Sequence, residues 1–179
     1  MGIPKIRPRE IVRPFISLTV LENVVLAAGV KRNRLALGAL FQVSRSKEEK
    51  LAIALLERVG LEKYKDAYPG VLPLGLLKRL EVARAVALNP KILLFDEPLA
   101  GLNEKETNEL ADTITELNRD GLTVILVEHN LGQVLRIASR LVVLDGGCVI
   151  ADGNPGSVMD NPNVRSAYIG NPKEENAGA

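Results

Sequence analysis

Three stretches constrain the fold more than any other feature: "KILLFD" (91–96), "LTVILVE" (122–128) and "RLVVLD" (140–145). In each, apolar residues follow one another without the alternation that marks a strand with one wet face. Runs of this kind belong to strands covered on both faces, as in parallel sheets. Helical periodicity separates them. "EKETNELADTITELNRDG" (104–121) carries Leu110, Ile114 and Leu117 on one stripe, and "LGQVLRIAS" follows the second run. A fourth, shorter strand is expected in "CVIADG". Helices alternating with buried strands predict an α/β fold with a mainly parallel sheet, its three-strand core at 91–96, 122–128 and 140–145.

The half of the chain before residue 89 reads differently. Pro4, Pro8 and Pro14 break any helix in the lead. "LTVLENVVLAAG" (18–29) is helical, with Thr19 as cap and Glu22 as its capping-box partner. "SKEEKLAIALLERVG" (46–60) is a second helix, capped by Ser46 with Glu49 three residues on and stopped by Gly60. A short helix in "EKYKDAY" and a long one in "LGLLKRLEVARAVALNP" follow, the latter ending at Asn89-Pro90. Two short helices close the ordered chain near 154–160 and 162–169, and "NPKEENAGA" is an expected disordered tail. With 46% apolar residues in 179, the chain has the means to bury a core. A sheet of three or four strands with one helical layer is nevertheless thin. Both faces of these strands are apolar, so something should cover the second one.

Four short motifs carry chemistry. "ILLFDEP" ends a buried strand with Asp96 and Glu97, at the end of the strand where ligands bind in open α/β sheets. There Asp96 suits a Mg²⁺ ion and Glu97 suits polarisation of a water, while the same residues serve equally as a charged turn before Pro98. In "AGLN" (Ala100, Gly101, Leu102, Asn103), Asn103 caps the next helix with Glu106, and the loop is also suited to face a second subunit. "VLPLGLLKRLEVARA" begins a helix at Pro73, and a helix N-terminus suits a phosphate as well as an ordinary start. "ILVEHN" places His129, the single histidine, after the strand next to Asp96, as a γ-phosphate contact or a plain loop residue.

Taken in order, these motifs resemble the ATP-binding subunit of ABC transporters. "LPLGL" sits at that family's signature sequence, so Pro73, Leu74, Gly75 and Leu76 would meet a nucleotide held by a second subunit. "ILLFDEP" is similar to its Walker B strand, with Asp96 toward Mg²⁺ and Glu97 catalytic. "AGLN" is similar to its D-loop, and His129 to its switch histidine. "LTVLENV", "GLNEKET" and above all "NPNVRSAYIG" look like the subunits that energise branched-chain amino-acid importers. The resemblance covers nearly the whole chain. It implies a partial P-loop NTPase fold: a Q-loop-like lead (1–17), a helical subdomain (18–88), a RecA-like core remnant (89–170) and a tail (171–179). It further implies ATP and Mg²⁺ as cofactors, a second ATPase subunit and membrane permease subunits as partners, and a cytoplasmic place at the inner face of the membrane.

The departures are specific. The sequence holds no Gly-Lys dipeptide, hence no G-x-x-x-x-G-K-[ST] loop to cradle phosphates. The expectation is a truncated subunit that is inactive alone and is completed by a P-loop fragment from another polypeptide. In the resembled fold the missing segment packs beside the Walker B strand, which implies that Ile92, Leu94, Val124 and Leu126, or their strand neighbours, lack cover; fully burying each such side chain is worth about 1.5–3 kcal/mol. "REIVRPF" resembles the Q-loop region, with Glu10 where the family has Gln; Gln42 in "LFQV" lies after the "TVLENV" helix, in the wrong place. Pro73 stands for the signature Ser and Leu76 for its Gln. Losing the serine's hydrogen bond to a charged group costs roughly 1.5–3 kcal/mol. The alternative is a non-catalytic module that docks on a full-length ATPase or its membrane subunit. A DNA-repair ATPase head is disfavoured because 46–90 holds no long coiled coil. A net charge of +1 implies no nucleic-acid partner, one cysteine excludes an internal disulfide framework, and one histidine argues against zinc. No apolar run approaches the roughly 18 residues of a membrane span.

Overall fold

The computed structural model describes residues 14–33 and 45–169. The Q-loop position Glu10, Gln42 and the 171–179 tail lie outside the described residues. The chain divides into two compact units, residues 1–129 and 130–179.

The first unit begins with three helices packed on one another, α1 (Val20–Asn33), α2 (Arg45–Arg58) and α3 (Leu74–Ala87). The start of α1 is the expected capping box: Glu22 N–H donates to Thr19 Oγ1 (3.2 Å) and Thr19 N–H to Glu22 Oε2 (2.8 Å). One turn on, the fully buried Asn23 fixes the preceding loop. Its Oδ1 accepts from Phe15 N–H (2.8 Å), and its Nδ2 donates to the carbonyls of Phe15, Leu18 and Thr19. Arg84 of α3 is buried, and its guanidinium lies 5.2 Å from the Phe15 ring centroid. Burial pushes the Arg84 guanidinium pKa down from its ordinary value and the neighbouring Glu81 carboxyl pKa up.

α2 starts at Arg45, so Ser46 lies inside the helix and not at its cap as expected. Its end is as expected. Gly60 takes φ +72°, Gly60 N–H donates to Glu57 O and Leu61 N–H to Leu56 O (2.7 Å), which closes the helix with a left-handed residue. A Cβ on Gly60 would lie 2.8 Å from Arg79 Nη1. That guanidinium donates to Val59 O (3.1 Å) and also pairs with Glu109. The helical core is Val20, Val24, Ala52, Leu56, Val59, Leu61, Leu80 and Ala83.

β1 (Ile92–Asp96) and β2 (Thr123–Val127) pair in parallel, joined by α4 (Glu104–Arg119). α4 lies against β2 and buries Leu110, Ile114 and Leu117, the predicted stripe. The opposite face of the pair is open. Ile92 and Leu94 are exposed by half or more, as expected, and on β2 it is the strand neighbours Ile125 and Val127 that are exposed, while Val124 and Leu126 are half-buried. The register explains the parity: Leu94 lies beside Ile125 and Asp96 beside Val127, so those residues share a face.

The predicted three-strand parallel core is corrected. β3 (Leu141–Asp145) pairs antiparallel with β4 (Cys148–Gly153) in a separate two-stranded sheet within the second unit. Gly146 (φ +54°) and Gly147 (φ +82°) form the two-residue link, and two left-handed residues in a row match the twist of an antiparallel hairpin. The register slips between Val143 and Leu144. Arg140 holds the Asp152 carboxylate through two hydrogen bonds of 2.7 Å. A small core of Val143, Val158 and Val164 gathers this unit, with α6 (Pro155–Met159) and α7 (Pro162–Ile169) after the hairpin and α5 (Leu131–Ile137) before it.

Candidate functional site

The parallel register sets Asp96 beside Val127, so the segments that leave the two strands run side by side. Asp96 ends β1 on the exposed face of the sheet. Glu97 continues the ladder by one bond, donating N–H to Val127 O (2.9 Å), and then the chain turns sharply. Glu97 has φ +50°, a left-handed conformation that a non-glycine residue rarely holds without local strain. Ala100 N–H donates back to Glu97 O (3.2 Å), and Pro98 and Leu99 are buried beneath the turn. The turn lifts the Glu97 side chain away from the core.

There it meets His129. Its Oε1 lies 3.4 Å from His129 Nδ1, with side chains 53% and 70% exposed respectively. At that exposure the pair contributes little to stability. Its interest is chemical: a carboxylate and an imidazole, neither buried, converge at the ends of two adjacent parallel strands. Both are residues singled out from the sequence.

A second cluster forms around the start of α3. Pro73 is its N-cap, with φ −61° and ψ +158°, and accepts from the N–H groups of Leu76 and Leu77 through its carbonyl. Leu74 is exposed and Gly75 buried. A Cβ on Gly75 would fall 2.5 Å from Glu106 Oε1, so a side chain there would collide with the first turn of α4. The same Glu106 completes the capping box of α4: Glu106 N–H donates to Asn103 Oδ1 (2.9 Å) and Asn103 N–H to Glu106 Oε2 (3.1 Å). Gly101 has φ +78°, and a Cβ there would lie 3.0 Å from Leu74 Cδ2. Residues 73–76 thus meet the 100–103 loop through Leu74 and Gly101, and the start of α4 through Gly75 and Glu106, and the turn at 97–100 leads from the first cluster into the second.

Two contributors escaped the reading of the sequence. Glu106 appeared only as a helix-capping residue, and its contact with Gly75 is long-range and left no local signal. Glu128 precedes His129 and accepts from Leu99 N–H through Oε1 (2.9 Å), although a polar residue directly after an apolar strand was a readable cue. No group of three or more His, Cys, Asp or Glu suited to a metal is found among the described residues. Among them, no helix is long and apolar enough to cross a membrane.

Comparison with known proteins places the chain in a family. The ABC transporter family model matches residues 8–100, more than half of the chain. The chain is 38% identical over 171 residues to the high-affinity branched-chain amino acid transport ATP-binding protein BraF of Pseudomonas aeruginosa, covering 92% of this chain and 67% of BraF. It is 38% identical over 176 residues to LivG of Escherichia coli K12, which carries the same description, covering 95% of this chain and 68% of LivG. Among solved structures it is similar to an ATP-binding cassette in a dimeric post-hydrolysis state bound to ADP and Pi. That likeness has a TM-score of 0.66 and 30% identity, and covers 82% of this chain and 60% of the cassette. The chain therefore spans about two thirds of the length of these relatives. On the family match and on this identity over nearly all of its length, the chain belongs to the ABC transporter family.

Proposed function

We propose that the chain is part of the ATP-binding subunit of an importer for branched-chain amino acids, coupling ATP hydrolysis to solute uptake. The observation that carries this reading is the approach of Glu97 to His129 at the ends of two parallel strands, in a chain 38% identical to branched-chain amino acid transport ATP-binding proteins. In this reading Glu97 polarises the attacking water and His129 contacts the γ-phosphate. Asp96 is the one protein carboxylate toward Mg²⁺, an ion that takes one or two carboxylates and completes its shell with phosphate and water. Bound with the nucleotide, that ion supplies charge neutralisation at the phosphates. Pro73 to Leu76 and Ala100 to Asn103 form a face for a second ATPase subunit. Membrane permease subunits complete the assembly, which places the chain at the inner face of the membrane.

The four negative charges of ATP need several N–H donors and a lysine, and these 179 residues hold no Gly-Lys dipeptide. Asp96 and Glu97 alone repel a triphosphate. Hydrolysis therefore requires a P-loop segment in addition to these residues, and Glu10, at the Q-loop position, brings a charge where the family carries an amide. Pro73 favours a second reading, a non-catalytic module docked on a full-length ATPase, because it offers neither a hydroxyl nor an N–H at the signature.

The test is nucleotide binding and hydrolysis by the chain alone and with a P-loop-bearing fragment. Turnover is expected at background alone and restored by the fragment. Glu97→Gln then abolishes hydrolysis and leaves binding intact. Turnover by the chain alone that disappears on Glu97→Gln would overturn the requirement for a P-loop. No restoration by the fragment, with a folded chain, favours the docking module.

A further inference from the structure

We propose that Glu128 is the positioning residue that sets the Glu97–His129 pair. Glu97 sits in a left-handed conformation (φ +50°), and such a residue persists only where its surroundings over-determine it. Three hydrogen bonds bracket it. Two join backbone to backbone: Glu97 N–H to Val127 O (2.9 Å), and Ala100 N–H to Glu97 O (3.2 Å). These are indifferent to side-chain identity. The third, Leu99 N–H to Glu128 Oε1 (2.9 Å), depends on a single side chain that reaches across from the next strand. Leu99 is itself buried, so this bond ties a fixed point of the turn to the segment that carries His129.

Glu128 is thus the one described side chain seen to join both halves of the pair. It stands next to His129 in sequence and two residues from Glu97 through Leu99, across 29 positions of chain. Its second oxygen, Oε2, is buried with no hydrogen-bond partner among the described residues. A buried oxygen left unpaired is costly. A carboxylate is therefore a poor choice for stability alone, which agrees with a role in holding geometry. An acceptor of glutamate length is what the Leu99 amide requires; aspartate is one methylene too short to reach it.

The inference rests on reading Glu97 and His129 as the hydrolytic pair, but its test needs no nucleotide. His129 is the single histidine of the chain, so its ring resonances report on the pair without assignment ambiguity. The experiment compares the full chain with Glu128→Gln, Glu128→Asp and Glu128→Ala at one fixed pH. It reads Leu99 amide exchange and the His129 ring resonances, with Glu97→Gln as the reference for a broken pair. In Glu128→Ala and Glu128→Asp, Leu99 exchange is expected to quicken about ten- to a hundredfold, the loss of one hydrogen bond to a charged group. The ring resonances are expected to move toward those of Glu97→Gln. Glu128→Gln, which keeps an acceptor of the right length, retains both. Unchanged Leu99 exchange in Glu128→Ala overturns the proposal. So does a Leu99 response that leaves the His129 ring unmoved, or Glu128→Gln behaving like Glu128→Ala. Loss of the fold by circular dichroism in both Glu128→Ala and Glu128→Asp assigns Glu128 a purely structural role and also overturns it. If the ring and amide respond as stated while Glu97→Gln leaves hydrolysis unchanged in the chain supplied with a P-loop fragment, the hydrolytic reading falls and the positioning role stands.

Discussion

The molecule contains two pairs of strands built from similar apolar residues, and they behave in opposite ways. β1 and β2 are parallel, their partners 31 positions apart (Leu93 beside Val124), and need α4 to bring them together. β3 and β4 are antiparallel and closed by two glycines. The parallel pair puts both C-terminal ends at one edge, where Asp96, Glu97, Glu128 and His129 gather. The hairpin sends its ends in opposite directions and gathers no such group. A parallel pair concentrates chemistry at one end because both chains leave the sheet there; a hairpin turns its chain back at that end.

The largest effect expected from breaking this contrast is catalytic. In the chain supplied with a P-loop fragment, Glu97→Gln is expected to lower ATP turnover by about 10²–10⁴-fold, the range for a general base. Leu144→Ser on the exposed hairpin surface is expected to leave turnover unchanged. Steady-state assays on both variants measure the contrast, and an equal loss in the two removes it. Next comes stability. Leu110→Ala, at the centre of the α4 stripe, is expected to cost about 2–5 kcal/mol by chemical denaturation. Amide exchange should then rise across 92–96 and 123–127 before it rises across 141–153. Simultaneous loss of protection would make the two units one cooperative block.

Smaller effects sharpen the comparison within each pair. Gly147→Ala forces a side chain into φ +82° and is expected to cost about 1–2 kcal/mol, confined to the hairpin amides. Leu94→Thr on the open face of the parallel pair is expected to change stability by no more than about 0.5 kcal/mol, since an exposed site has little packing to lose. It should also lower binding of an apolar dye. A cost of several kcal/mol there would mean that the face is covered. The smallest effect concerns pH. The Arg140 guanidinium holds the Asp152 carboxyl below the usual carboxylate range, chiefly by hydrogen bonding. A carboxyl with a depressed folded value adds stability above the unfolded value, near 3.8 here, and loses it as pH falls through the folded one. Chemical shifts of the 141 and 152 amides should therefore move below pH 4, and Arg140→Gln should shift that movement up toward the ordinary carboxylate range.

Local features were legible because local chemistry decides them. Thr19 with Glu22 and Asn103 with Glu106 each join residues three apart, and Gly60 ends α2 through its own backbone. The meeting of Glu97 with His129 was legible through order and spacing, since successive parallel strands bring their ends together. β3 was misread because an apolar run of five does not state its partner. The cue lay beside it in Gly146-Gly147, which demands a tight hairpin whatever the strand's composition. Whether Val124 and Leu126 or their neighbours Ile125 and Val127 face out stays open in the sequence, because a run apolar at every position carries no parity. Only the register, set by tertiary contacts, decides which residues face out. Ser46 failed as a cap for a simpler reason: helix ends shift by a residue at little cost.

Gly75 bears on inheritance as well as on packing. Its missing side chain is filled by the Glu106 carboxylate, so any larger residue at 75 must first displace the cap of α4. Selection against replacing Gly75 would therefore continue whether or not this face meets a ligand. Pro73 is exposed, so packing restrains that position less. Packing alone is thus enough to hold a glycine at 75, while the exposed position 73 tolerates exchange.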